Sequence, residues 1–359
     1  PEALEAMMPY LTEHFGNPSG AHRVSRAARL AVDEARDEVA ACLGCEPGEV
    51  VFTGGGTEAD NLALAGVHAL RGGTVVCTAV EHHAVLHATH ALGGEVVPVD
   101  GDGVVDLDRL SGALHHGVSV VSVMLANNEV GVVEPLDQAA TVVRERAPGA
   151  VLHTDAVQAF LWLDVAGLGR HADLVAVSAH KFGGPKGVGA LVVREGVRLA
   201  PILQGGGQER DLRSGTHNVA GIVGMAAAMR ATVAEREAVV RRVAAQRDRL
   251  ADGLAQAVPD TTETVPRHKK VAGSCHLRFE GVESEALLVL LDDDGVCASA
   301  GSACASGAME PSHVLTAMGV ARADALSSLR LSLGPTTTDH DVDLALKVVP
   351  DAVARLREG

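Results

Sequence analysis

Five polar clusters stand at the ends of apolar runs: GGGTEAD (54–60), EHHAV (81–85), ANNE (126–129), DAVQ (155–158) and SAHK (178–181). In the last, Lys181 follows a histidine and precedes a glycine pair. The chain holds only five lysines, at 181, 186, 269, 270 and 347, so solubility does not explain this one. A lysine amine forms Schiff bases when desolvation or a cationic neighbour lowers its pKa. Lys269 and Lys270 lie in a basic run, Lys347 in a terminal helical pattern, and Lys186 in the glycine loop, where phosphate or backbone is its natural contact. GGGTEAD joins a strand pattern to a helical one. Its glycines allow close backbone approach, and a helix start offers free N–H groups to an anion. It has neither the GK[ST] of a nucleotide loop nor GxGxxG spacing, so it suits a single phosphate. Asp155 can hold a proton on a pyridine nitrogen, which keeps that ring able to accept electrons from a carbanion. Gln158 could reach the neighbouring ring oxygen, and His82 could lie flat on the ring. Each residue alone has a plain structural reading: a tight turn, a helix cap, a satisfied core histidine. Phosphate loop, His, Asp and Lys together, in this order, spell pyridoxal 5'-phosphate.

The elements that must position these groups are short Val/Leu-rich runs alternating with helical patterns, which predicts an α/β protein with a parallel sheet buried on both faces. Seven strands are expected: VVFT (50–53), TVVCTAV (74–80), GEVVPVD (94–100), VSVVSVML (118–125), AVLHTD (150–155), DLVAVSA (173–179) and GALVVRE (189–195). Ligands of such sheets bind outside the carboxyl ends of the strands, where the polar clusters stand. A long charged helix over about 225–257 leads to an α+β region with a strand at 273–279, a helix at 284–295, a loop at 298–307, a strand at 329–334 and a last helix at 339–357. This predicts a large domain over 11–245 and a smaller one over 246–359, with 1–10 packing on the smaller.

With 359 residues, 47% of them apolar, the chain can bury a substantial core, but aromatics at 2% leave Ala, Val and Leu to fill it. A net charge of −16 argues against direct nucleic-acid or anionic-membrane binding. No apolar run reaches the ~20 residues of a membrane span. No signal peptide is visible, and a start at Pro1 is expected to lie inside the natural N-terminus. Six scattered cysteines do not form a secreted disulfide framework, which fits a cytoplasmic enzyme. CLGC (42–45) has no second CxxC or CxxH nearby to complete a zinc site, so no metal is expected and Cys42 reads as packing.

Over essentially its whole length the chain resembles the cysteine desulfurases of the class V aminotransferase family. The resemblance rests on GNPSGAH (16–22), VVFTGGGTEADN (50–61), EHHAVL (81–86), SVMLANNEVGVVEP (122–135), HTDAVQ (153–158), SAHKFGGPKGVGAL (178–191), GGGQERDLRSGT (205–216), SAGSACASG (299–307) and LRLSLG (329–334). It implies the pyridoxal-phosphate-dependent transferase fold, with the seven-stranded, mainly parallel sheet in the large domain. It implies Lys181 as the Schiff-base lysine, His82 stacked on the ring and assisting proton transfer, Asp155 at the ring nitrogen, and Gln158 and Asn128 near the ring hydroxyl, Asn128 also near substrate. Gly56, Thr57, Ser178 and His180 would hold the phosphate, with Thr216 reaching it from the other subunit of a homodimer. Arg330 would clamp the carboxylate of L-cysteine, a task suited to a bidentate guanidinium. Cys304 sits in an Ala/Ser/Gly-rich loop. A free thiol of pKa near ~8.5 keeps a minor thiolate fraction at neutrality, and that thiolate would take the substrate's sulfur as a persulfide, releasing L-alanine. Cys297 reads as packing. The cysteine loop resembles that of the subgroup serving iron–sulfur cluster assembly and tRNA thiolation, so an acceptor protein of one of those kinds is expected. Pro335 stands where such proteins often have Arg, His217 where Leu is common, and their short leading strand is absent from this numbering.

The near alternative is another class V enzyme, a selenocysteine lyase or an aminotransferase, which would share everything except the need for Cys304. The alternative of another class is a non-catalytic metal-binding or scaffold subunit using CLGC and the histidine pairs at 82/83 and 115/116, which would be colourless.

Overall fold

The computed structural model describes residues 1–300 and 310–358. The chain forms two compact units. The larger comprises Pro1–Val97, Asp106–Leu125 and Glu134–Arg236; the smaller comprises Pro98–Val105, Ala126–Val133 and Glu237–Gly359.

The larger unit is built on a seven-stranded sheet: β1 (Val50–Thr53), β2 (Thr74–Thr78), β3 (Glu95–Val97), β4 (Val118–Ser122), β5 (Val151–Asp155), β6 (Leu174–Ser178) and β7 (Gly189–Val193), in the order β1-β7-β6-β5-β4-β2-β3. All seven expected strands are present. Only β7 runs antiparallel, to both β1 and β6; the other pairings are parallel. Every residue of β4, β5, β6 and β7 is buried, as a sheet covered on both faces requires. The helix Gly56–Arg71 follows β1 and fills one face with Ala59, Leu62, Ala63, Leu64 and Val67 against Val75, Val120, Leu174 and Leu191. Small and aliphatic residues let it approach closely. At Gly66 an added Cβ would lie 2.8 Å from the Ala200 carbonyl oxygen. Because β1, β2, β4, β5 and β6 are parallel, their carboxyl ends share one edge, and the β6–β7 connection, which holds Lys181, opens on it.

The smaller unit has an antiparallel sheet, β8 (Thr261–Glu263), β9 (Ser274–Phe279) and β10 (Ser328–Ser332), in the order β10-β9-β8, with the helices Ser284–Asp293 and Asp339–Glu358. Its make-up corrects the expected division at 245/246, because the units change at 236/237 inside one continuous helix, Val219–Ala257. Two segments from the first half of the chain join it. Val132 bridges Lys270, the Val133 N–H donates to the Lys269 carbonyl at 2.9 Å, and Lys269 pairs with Asp102 at 2.5 Å. The N-terminal helix Glu2–Thr12 belongs to the larger unit, not to the smaller as expected. The cause is Met7, which packs so closely on Gly224 that an added Cβ there would lie 2.6 Å from the Met7 Cγ.

Candidate active site

The phosphate-loop candidate forms a tight turn from β1 into the helix Gly56–Arg71. Gly55 adopts φ 147°, a conformation open to glycine. At Gly56 a Cβ would lie 2.7 Å from Val157 Cγ2 and 3.4 Å from Ser178 Cβ, and at Gly189 it would lie 2.8 Å from the Gly55 carbonyl carbon. Three glycines thus bring bare backbone against β6 and β7. Gly56 and Ser178 are buried and Thr57 is exposed. Ser178 Oγ lies 2.9 Å from His180 Nδ1, so these two expected phosphate ligands are already paired. Burial, then the charges of Lys181 and Lys186, lower the His180 pKa.

Asp155 ends β5, buried, its Oδ1 accepting the Val157 N–H at 2.8 Å. It sits in a carboxyl-rich core that the sequence reading missed. Asp60 and Glu81 are also buried, as are His153 and Ser122. Ser122 Oγ links His153 Nδ1 (2.9 Å) to Glu81 Oε1 (3.3 Å), and Glu81 Oε1 accepts the Met124 N–H at 2.8 Å. Asp60 Oδ1 and His153 Nε2 are 3.4 Å apart without hydrogen-bond alignment. Burial raises the Asp60 pKa well above the usual carboxylate range and lowers that of His153 to about 4; their contact is one between groups driven toward neutrality rather than an ion pair. Burial, then the charges of Asp155 and Asp60, likewise raise Glu81. Asp155 is raised to about 7, by burial first and Asp60 second. Its ionisation therefore falls near neutrality, where a cationic partner would hold it charged. The signal for the other members was thin: an acid in each of two recognised motifs, and a histidine inside a Val/Leu strand.

Lys181 lies on the single turn Ala179–Phe182 that ends β6, closed by Gly183 at φ 84°. It is accessible in the single chain, and its charge acts on both Asp155 and His180. His82 caps the helix His83–Ala91, its Nδ1 accepting the Ala84 N–H at 3.1 Å. That bond places the neutral ring's proton on Nε2 and fixes the ring's direction. Gln158 is half-buried, three residues beyond Asp155 on the same segment. A glycine cradle with helix N–H groups, a buried acid near neutrality and an accessible strand-end lysine form a donor set that fits a phosphorylated pyridine aldehyde.

The loop carrying Thr216 is held by a residue the sequence reading passed over. Glu209 is buried and binds Arg36 twice (2.8 and 2.6 Å), the Phe52 N–H (2.8 Å) and His217 Nε2 (2.7 Å). Burial opposes its charge, but the bonds from Arg36 and His217 prevail and hold its pKa near 2. Glu209, Arg210 and Asp211 have φ of 49°, 58° and 63°, a left-handed run costing ~1–3 kcal/mol per residue, which this clamp offsets. Arg213 ties the same loop to the glycine turn through Glu58 at 2.7 Å. Thr216 is exposed.

The other two expected substrate contacts lie in the smaller unit. Arg330 on β10 donates from Nη1 to the Asn128 carbonyl at 3.0 Å, so Asn128 presents its backbone to the guanidinium. Cys304 lies outside the described residues. Cys297 is exposed, correcting its reading as a packing residue: it follows the buried Val296 and faces the other way. Cys42 and Cys45 are half-buried, and burial raises both thiols, Cys45 to about 11. Among the described residues no cluster of three His, Cys, Asp or Glu could hold a metal ion, and no helix is long and apolar enough to cross a membrane.

A family model described as Aminotransferase class-V matches residues 1–345. The cysteine desulfurase IscS of Methanosarcina thermophila is 42% identical, covering 99% of this chain and 89% of that protein. The IscS-like cysteine desulfurase of Mycobacterium tuberculosis is 46% identical, covering 99% of this chain and 94% of that protein. Among solved structures, a NifS-like protein aligns with a TM-score of 0.92 at 35% identity, over 98% of this chain and 95% of the other. SspA in complex with cysteine aligns with a TM-score of 0.81 at 30% identity, over 94% and 96%.

Proposed function

Because the chain belongs to the class-V aminotransferase family, we propose that it works as a pyridoxal-phosphate-dependent cysteine desulfurase, taking sulfur from L-cysteine and leaving L-alanine. The observation that carries this reading is the gathering of the Gly56 cradle, the buried Asp155 and Lys181 at the carboxyl edge of one sheet. Bound pyridoxal phosphate supplies an electrophilic carbon and a ring that accepts electrons. The protein's groups divide the remaining work. Gly56, Thr57, Ser178 and His180 hold the phosphate. Asp155, ionised, would face the ring nitrogen and hold a proton there, while Gln158 and Asn128 would serve the ring hydroxyl. Lys181 would hold the group through its amine, and that amine would take and return the substrate's Cα proton, assisted by His82, whose direction its capping bond fixes. Arg330 orients the substrate carboxylate.

Cys304 thiolate then attacks the substrate sulfur. The S–S bond forms as the C–S bond breaks, alanine departs, and the sulfur rests on Cys304 as a persulfide. Its recipient is a sulfur-acceptor protein, a cluster scaffold or a tRNA-thiolation enzyme, in the cytoplasm. The working species is a homodimer in which Thr216 of one protomer completes the phosphate site of the other.

The test is borohydride reduction followed by peptide mapping, together with alanine and sulfide assays of wild type and Cys304→Ala. The pyridoxyl group is expected on Lys181, and Cys304→Ala should lose persulfide formation. A pyridoxyl group elsewhere, or undiminished sulfide release by Cys304→Ala, would overturn the assignment.

A further inference from the structure

Arg330 is one of two facing residues with unmet polar atoms. Its backbone N–H donates to the Ser299 carbonyl at 2.7 Å, and its carbonyl accepts the Ser299 N–H at 3.1 Å. Both backbone groups therefore point away from β9. Across β9 its register partner is His276, so the two form a non-hydrogen-bonded antiparallel pair, the arrangement that brings cross-strand side chains closest, with Cα atoms ~4.5 Å apart. His276 is fully buried. Its Nε2 and the Nε of Arg330 are both buried, and among the described residues neither has a hydrogen-bond partner.

The chemistry of the two orphans is complementary. Arg330 Nε can only donate. His276 Nδ1 lies 2.9 Å from Thr264 Oγ1. Burial, then the charges of Arg330, Lys270 and Arg278, push the His276 pKa down to about 3, so the ring is neutral and carries one proton. With cations around it, that proton is better placed on Nδ1, donated to Thr264, and the Nε2 lone pair is left to face Arg330. The far end of the guanidinium is already engaged, Nη1 with the Asn128 carbonyl at 3.0 Å.

We propose that His276 is a positioning residue for Arg330: its Nε2 takes the arginine's Nε–H when the guanidinium receives the substrate, leaving the Nη1/Nη2 end to grip the carboxylate of L-cysteine. The inference rests on the reading of Arg330 as the carboxylate contact. Thr264 sets the tautomer and Asn128 holds the opposite end, so the three residues fix the plane and edge that the substrate meets.

The experiment is steady-state turnover of L-cysteine by the loaded enzyme in wild type, Arg330→Ala, His276→Leu, His276→Gln and Thr264→Val, with bound cofactor and melting temperature measured for each. His276→Leu should raise the KM for cysteine roughly tenfold, the scale of one hydrogen bond to a charged group, with kcat within about threefold and cofactor content unchanged. His276→Gln, whose amide oxygen can stand where Nε2 stood, should restore most of the KM. Thr264→Val, which releases the proton to Nε2, should raise the KM by less than His276→Leu. A wild-type KM in His276→Leu alongside a raised KM in Arg330→Ala overturns the positioning role and leaves Arg330 in place. A wild-type KM in Arg330→Ala overturns both. Losses that follow melting temperature or cofactor content, and that Gln does not rescue, also overturn it. Should His276→Leu fail to fold, Thr264→Val decides, an unchanged KM there refuting the role.

Discussion

Replacing Asp155 by Asn should stabilise the cofactor-free protein and weaken its hold on pyridoxal phosphate. The unfolded carboxyl ionises near 3.8, whereas burial and Asp60 raise the folded value to about 7. The folded state therefore binds this proton more tightly than the unfolded state. Its contribution to stability falls as pH rises from about 4 to about 7 and stays lost above that. At 1.36 kcal/mol per pH unit, the full cost of carrying Asp155 ionised is about 4 kcal/mol, of which roughly 3 kcal/mol develops between pH 5 and pH 8. Asn keeps the shape and an acceptor for the Val157 N–H and has no such dependence. Urea denaturation of both cofactor-free proteins at pH 5 and pH 8 measures the difference, which isolates this site from Glu81, Asp60 and His153 as long as these titrate alike in both. Asn should gain on wild type by about 3 kcal/mol across that interval. With cofactor bound the order should reverse, because the ionised carboxylate then has a cation to face. A difference that is the same at both pH values, or that shrinks at pH 8, would refute the claim that burial dominates this carboxyl.

Glu209→Gln should cost about 3 kcal/mol at neutral pH, since Arg36 loses its buried charge partner. The depressed pKa makes that stabilisation fully present above about 4.5 and lost as pH falls toward about 2, so urea midpoints of variant and wild type should converge in acid; a gap that widens there would contradict this. Gly56→Ala should lower affinity for pyridoxal phosphate and destabilise by ~1–3 kcal/mol, because the new methyl meets Val157 at 2.7 Å. Spectroscopic titration with the cofactor checks it, and wild-type affinity would show that the turn has room to spare.

The large sheet was legible because strands buried on both faces are written as unbroken Val/Leu runs, and β4 to β7 are buried at every position. The polar ends of those runs pointed to the candidate site for the same reason: a parallel sheet gathers its carboxyl ends. The divisions between units were not legible. A helix that runs unbroken through 236/237 gives no compositional break, and β8, with the sequence TTE, has no apolar alternation to detect. The buried polar groups were hidden by a related limit. Asp60, Glu81, His153 and His276 carry the same letters whether they face water or the core, and only packing decides. The left-handed run at Glu209–Asp211 lacks the glycine that would have announced it. His217, noted as unusual in sequence, acquired a reason from its contact with Glu209.

The pairing of Val132 with Lys270 has a consequence for how the protein is made. More than a hundred residues separate these partners along the chain. At ~5–20 residues per second of synthesis, the segment 126–133 emerges on the order of ten seconds before its partner exists. During that interval, the backbone groups later shared with Lys269, Lys270 and Val271 must be served by water or by chaperones. A fragment starting at Glu237 would lack both early segments and could not rebuild the smaller unit by itself. Attempts to express that half alone are therefore better served by supplying 98–133 on a second chain.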